Sequence, residues 1–238
     1  MNGKHAIVRV TRALALTAVV VILAAALPGQ ARAGSWFKVA GGVSGMAMDD
    51  INNQDFRFYD YTIEGFNFPD LDAGFSLSFH LGYDLSPAFS LGFSWDRQYA
   101  RVDGTDQDVT ADLNLDANFF MGHLYWRALH VGKFDFGAVA GMGPAFAAGK
   151  VRLTGANNVN YGQGDTTGSA ALALEFMGLM DFAVGESTII EVTVGWRDAT
   201  VKDVKYEGRP ALKDDGSALA LDYTGYIVKA GLKYVFAE

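Results

Sequence analysis

From Trp36 onward, large apolar side chains fall on every second residue in eight stretches, with small, polar or charged residues between them. A period of two sends alternate side chains to opposite faces of a strand. The last stretch is the clearest, with Tyr226, Val228, Ala230, Leu232, Tyr234 and Phe236 on one face and Gly225, Ile227, Lys229, Gly231 and Lys233 on the other. The small and charged set recurs in nearly every stretch and holds too few bulky residues to build a packed core. The apolar face is therefore expected to point outward, against lipid.

Strands are predicted near Trp36 to Met48, Ala73 to Leu85, Ala88 to Arg101, Thr110 to Leu129, Lys133 to Lys150, Gly168 to Val184, Ser187 to Lys202 and Leu219 to Phe236. Ser86-Pro87, His130 to Gly132 and Gly185-Glu186 read as tight turns, with Pro and Gly where a ladder is interrupted. Ala47 to Asp72, Val102 to Val109, Val151 to Thr167 and Asp203 to Ala218 are longer, polar connectors. Alternation of short and long connectors predicts an all-β fold: an eight-stranded antiparallel up-and-down transmembrane barrel with short periplasmic turns and four longer extracellular loops. Closure follows because an open strand edge in hydrocarbon leaves backbone amides unpaired. In the fourth strand Leu113, Leu115, Ala117 and Phe119 alternate with Asp112, Asn114, Asp116 and Asn118, but beyond Phe120 the phase is ambiguous and admits a bulge. A ten-strand alternative adds a hairpin from Phe56 to Phe68.

Ahead of the strands, Lys4, Arg9 and Arg12 precede an apolar run from Ala13 to Leu27, followed by Ala31-Arg32-Ala33. This reads as a cleaved secretory signal over 1–33, leaving a barrel domain over 34–238; the run is shorter than the roughly 20 residues of a spanning helix. Removing it takes away four of 19 Lys and Arg and no acid, so the mature chain carries 15 − 27 = −12 formal charges. Nucleic acid is an unfavourable partner for such a chain. With no Cys there is no disulfide, thiolate metal site or lipidated cysteine.

These features together resemble the small eight-stranded outer-membrane proteins of the OmpA transmembrane domain and OmpX type. The resemblance covers Trp36 to Phe236 and includes a terminal strand similar to the insertion signal of such proteins, in Lys229, Gly231, Tyr234 and Phe236. It implies recognition by periplasmic chaperones and the barrel-assembly machinery, residence among outer-membrane lipids and lipopolysaccharide, periplasmic termini and a monomer. Family members usually end on the aromatic residue, whereas Ala237 and Glu238 follow here. No peptidoglycan-binding domain follows the barrel in this sequence, so the anchoring role of full-length OmpA proteins does not carry over.

Counting along the strands sets Trp36, Phe37, Tyr83, Phe89, Phe134, Phe182, Tyr234 and Phe236 near the short-turn end, as an aromatic girdle. The inward face is expected to hold a charge network in two tiers, Lys38, Asp135, Asp181, Glu191 and Lys233 low and Glu175, Arg197 and Lys229 higher. An eight-stranded barrel is narrow enough for side chains to fill it. The network is then a structural plug, a gated narrow ion path, or a proton or substrate site at His80 with Asp84 or Asp96. Catalysis has little support, since His123 and His130 fall near the short-turn end and His80 has only Ser78 at a common spacing. No cofactor and no metal are expected. Asp103, Asp106 and Asp108 lack the ligand count of a calcium loop.

The first long connector is acidic and aromatic, with Asp49, Asp50, Asp55, Asp60, Glu64, Asp70 and Asp72 beside Phe56, Phe58, Tyr59, Tyr61, Phe66 and Phe68. Its alternation suggests strands continuing above the bilayer, whose edges suit an extracellular protein or surface ligand; a solvated rim is the plain alternative. The sequence therefore supports a non-enzymatic envelope and surface-contact protein. The alternatives are a narrow ion or small-solute channel and, less well, a soluble lipocalin-like carrier.

Overall fold

The structure, a computed structural model, describes residues 34–52, 56–58, 61–62, 69–106, 109–155, 159–213 and 215–236. The expected signal segment and Ala237 and Glu238 lie outside the described residues. Eight strands form the wall: β1 (Ser35–Gly45), β2 (Ala73–Asp84), β3 (Phe89–Asp106), β4 (Val109–Val131), β5 (Phe134–Gly155), β6 (Ala171–Ala183), β7 (Thr188–Asp198) and β8 (Gly225–Val235). Each pairs antiparallel with the next, and β1 pairs with β8 from Trp36↔Val235 to Ser44↔Ile227, closing the ring. The hairpin from Phe56–Phe58 to Tyr61–Thr62 joins Leu212–Lys213 in a separate small sheet, so the ten-strand alternative is excluded.

Strand lengths are unequal. Five of the strands run 11 to 13 residues, close to the roughly 9–11 that cross a bilayer. By contrast β3, β4 and β5 run 18, 23 and 22 residues. Much of the expected connector 102–109 is therefore ladder, with β3 and β4 paired up to Asp106↔Val109. Likewise β5 continues through Gly155 and pairs there with Val159–Thr167. These three strands form a wall that rises past the membrane level.

The phase of β4 is unbroken from Ala111 to Tyr125, and its register shift comes late, between Arg127 and Leu129. Along this one phase the chemistry inverts. In the lower half His123 and Tyr125 point inward while Leu124 and Trp126 point outward; in the upper half Leu113, Leu115, Ala117 and Phe119 are buried inside while Asp112, Asn114, Asp116 and Asn118 face out. Outward Arg97 and Arg101 of β3 pair with Asp116 and Asp112 at 2.9 and 2.8 Å. The expectation that the apolar face is everywhere the outer one is thus corrected for the upper half. Above the bilayer the outer solvent is water, so the apolar set turns in and forms a core.

That core closes the long-loop end. Met46, Met48, Ile51 and Leu71 from the first connector, and Val201, Val204, Leu219, Leu221 and Tyr223 from the last, pack on Leu113, Leu115, Phe119 and Met121. The helical turn Asp49–Asn52 is tied to the last connector by Asp50, which accepts from Lys213 Nζ at 3.2 Å and Ala220 N at 2.9 Å. Around the lower half the outward residues are apolar and exposed, among them Phe75, Leu81, Phe93, Leu174, Phe176, Val194 and Leu232.

Candidate functional site

Below the apolar cap the lumen is filled by charge. The lower tier is a chain of contacts. Lys38 on β1 pairs with Glu191 on β7, and Lys233 on β8 reaches Glu191 at 2.9 Å and Asp181 on β6 at 2.6 Å. Arg127 on β4 continues to Asp181 at 3.3 Å, Asp84 at 3.4 Å and Ser90 at 2.8 Å. The register explains the order: Lys38 lies directly opposite Lys233, and Glu191 directly opposite Asp181. Like charges facing each other across a ladder repel. Inside a tight barrel their tips converge, so the two ammonium groups interleave with the carboxylates.

Trp36 forms the floor. It is 1% exposed and its indole N–H donates to Asp84 at 3.1 Å. The ring lies where a Cβ on Gly82 would stand 2.1 Å from it, so glycine at 82 makes room for the indole. Tyr125 packs edge-on at 5.3 Å. The expected place for Trp36 in the outer girdle is therefore corrected: it shares the inward phase of Lys38. Phe37, Tyr83, Phe134, Tyr234 and Phe236 are exposed on the outside at that end, with Phe89 and Phe182 half-buried.

The upper tier centres on Arg197 of β7. Its guanidinium reaches Glu175 on β6 at 2.7 Å, Gln98 on β3 at 3.0 Å and Asp96 on β3, and lies 3.7 Å from the centre of the Phe119 ring. Lys229 on β8 shares Asp96 at 2.5 Å, and His123 on β4 takes the other Glu175 oxygen at 3.0 Å. Phe119 belongs to the apolar cap, so the cation–π contact joins the charged lumen to the core above it. Between the tiers His80 bonds Tyr125 Oη at 3.1 Å and Ser78 Oγ at 3.0 Å.

Five cations, Lys38, Arg127, Arg197, Lys229 and Lys233, thus meet five acids, Asp84, Asp96, Glu175, Asp181 and Glu191. A net-neutral set in mutual contact is what buried charge requires, because a buried ion without its partner is strongly destabilising. Chemically the arrangement offers little to a reaction. The Ser78–His80 bond has a phenol, not a carboxylate, on the far ring nitrogen, and all three groups are buried. Among the described residues no three His, Asp or Glu side chains cluster as metal ligands.

Of the residues singled out in the sequence, Lys38, Glu191, Lys233 and Asp181 meet in the lower tier, and Glu175, Arg197 and Lys229 in the upper, where Lys229 reaches Asp96. Asp135 stands apart, bonded to His130 at 2.6 Å at the short-turn rim with a third of its side chain exposed. His80 touches neither Asp84 nor Asp96. His123 sits mid-barrel, away from the short-turn end where it was expected. Sequence reasoning left out of the network Asp84, Asp96, Gln98 and Arg127. The first three share the inward phase of His80 or Ser94, so strict counting reaches them; Arg127 lies in the part of β4 whose phase was ambiguous. Of the assembly-signal residues, Lys229 faces the lumen and Tyr234 and Phe236 are exposed outside, with Gly231 packed against Ala40 of β1. Asp103 is exposed on the protruding part of β3; Asp108 lies outside the described residues, as do the side chains of Asp106 and of 53–68.

No family model matches the chain, and no curated protein sequence matches it. Solved structures do. The outer membrane protein OprG from Pseudomonas aeruginosa is 12% identical with a TM-score of 0.49, over 89% of this chain and 100% of that one. Neisserial surface protein A is 11% identical at 0.46, over 85% and 99%. Ail, the attachment invasion locus protein of Yersinia pestis, is 11% identical at 0.41, over 85% and 99%. The strand pairing and the exposed apolar wall carry the fold on their own: the chain is a closed eight-stranded antiparallel β-barrel with an apolar outer wall, similar in fold to these outer-membrane proteins.

Proposed function

We propose that this protein is a non-enzymatic barrel of the bacterial outer membrane with a closed lumen, working through surface contact at its long-loop end and through envelope integrity. The observation that carries the reading is the lumen itself: a neutral ion-pair network spans its cross-section beneath an apolar cap, leaving side chains where a pore would have water. In this reading the signal segment exports the chain, the terminal strand is read by the assembly machinery, both termini are periplasmic, and the barrel is a monomer among outer-membrane lipids and lipopolysaccharide.

A narrow ion path is the second reading, favoured by one feature: Asp96 and Glu191 are each shared between two cations, so bridges have partners to exchange. Single-channel recording of refolded protein in a planar bilayer separates the two. Properly folded barrels are expected to be silent; reproducible discrete openings, abolished by Asp96→Asn or Glu191→Gln, overturn the closed-lumen reading.

A further inference from the structure

At the long-loop end, where β6 begins beside the last connector, the surface folds into a recess of about 530 Å3 bordered by Thr167, Ser169, Asp203, Val204, Lys205 and Pro210. That volume is within the range of small-molecule sites, roughly 300–1,000 Å3. The recess belongs neither to the lumen network nor to the apolar cap, although Val204 contributes to both the cap and the recess wall.

Its chemistry is uncommitted. Asp203 and Lys205 are exposed, border the same recess and form no ion pair with each other, and neither has an ion-pair partner among the described residues. The backbone that carries them is held. The Lys202 carbonyl accepts from both Ser169 N at 3.2 Å and Ser169 Oγ at 2.7 Å, the Val204 carbonyl accepts from Ala211 N at 2.8 Å, and Lys205 is laddered to Thr167 and Pro210. Between these ties Asp203 has φ of 53°, a left-handed conformation that Asp and Asn adopt more readily than other residues with a side chain. The backbone under Asp203 is held two residues from Lys205, and the two side chains border the recess without pairing. Ser169 spends its proton on the Lys202 carbonyl and keeps its oxygen lone pairs, and the exposed Thr167 borders the same recess.

We propose that this recess binds a saccharide of one or two rings. A polyol supplies donors to the Asp203 carboxylate and acceptors to the Lys205 ammonium on one framework without needing a net charge, and its C–H face suits the exposed Pro210. A free amino acid answers the same two charges but fills little of the volume. The site deepens the surface-contact reading by naming a ligand class, and its test is independent of whether the lumen conducts.

The experiment titrates refolded full-length mature protein against a panel of neutral mono- and disaccharides, with glycine and glutamate as zwitterionic probes, by ligand-observed saturation-transfer NMR. Binding by at least one neutral saccharide is expected. Asp203→Asn and Lys205→Ala should each weaken it about tenfold or more, the scale of a charge-assisted hydrogen bond, while Asp215→Asn, on a separate exposed turn, leaves it unchanged. Each variant is checked for the folded barrel by its heat-modifiable gel mobility. Absence of saccharide binding, binding indifferent to both recess variants, or binding of the amino acids alone overturns the proposal.

Discussion

Replacing Glu191 with Gln removes the one anion that Lys38 contacts among the described residues. Lys38 is 3% exposed and its ion pair is with Glu191, whereas Lys233 keeps Asp181 at 2.6 Å. The variant therefore leaves a single buried ammonium without a counter-charge and the lower tier with one excess positive charge. Breaking a buried pair from one side costs about 3–5 kcal/mol. Removing both partners in Lys38→Met/Glu191→Gln restores neutrality and leaves Arg127, Lys233, Asp84 and Asp181 mutually paired, so most of the loss should return. The assay is reversible urea unfolding of the barrel in lipid vesicles, followed by tryptophan emission and gel mobility, for wild type, both single variants and the double. A coupling between the two sites of about 2 kcal/mol or more is expected from such a cycle. A Glu191→Gln loss below about 1 kcal/mol, or a double variant no more stable than Glu191→Gln, would refute the claim that the lumen is held by compensated charge.

Other outcomes follow from the same structure. Lysine at Ala138, outward on the apolar wall, should cost about 2–4 kcal/mol near the bilayer midplane in the same unfolding assay. In the protruding half the ranking reverses: Leu115→Ala, buried inside, should cost about 2–5 kcal/mol, while its outward neighbour Asn114→Ala stays within about 0.5 kcal/mol. Gly82→Ala places a methyl into the Trp36 ring, so in a background with Trp95, Trp126 and Trp196 changed to Phe the Trp36 emission should shift to the red. On the exposed turn, the Ser217 hydroxyl and amide both donate to Asp215, at 2.6 and 2.8 Å, and hold its carboxyl below the usual range. A depressed carboxyl favours the folded turn above the ordinary carboxylate range and loses that contribution as pH falls through its own lower value. Ser217→Ala should move the Asp215 carbon-13 titration up toward the ordinary range.

The eight strands were legible because a period of two survives in every wall segment, and the closing strand Tyr226 to Phe236 keeps its two faces chemically distinct along its length. What alternation does not carry is which face meets which solvent. In β4 alternation separates Leu113 to Phe119 from Asp112 to Asn118 as two faces but sets them on the wrong sides, because the surroundings change from lipid to water within one unbroken phase. The same limit explains Trp36: an aromatic residue beside a chain end reads as girdle, but its place is set by phase with Lys38 and by the space that Gly82 leaves. Asp135 shares the inward phase of its register partner Asp181, yet the short-turn rim gives it His130 as a nearer partner. Which tips converge across a lumen depends on strand stagger, so the pairing of Lys229 with Asp96, from strands on different sides of the ring, was beyond what one-dimensional spacing records.

The claim most open to direct attack is that one continuous barrel passes from lipid to water part-way up β4. The chain has no native cysteine, so single cysteines carrying a fluorophore report only their own position. Labels would be set at the outward residues Asp112, Asn114, Asn118, Phe120, Leu124 and Trp126 and read against vesicles containing lipids brominated along the acyl chain. Strong quenching at Leu124 and Phe120, falling to none at Asn114 and Asp112, is the predicted profile. Quenching that extends undiminished to Asp112, or that is absent at Leu124, would contradict it.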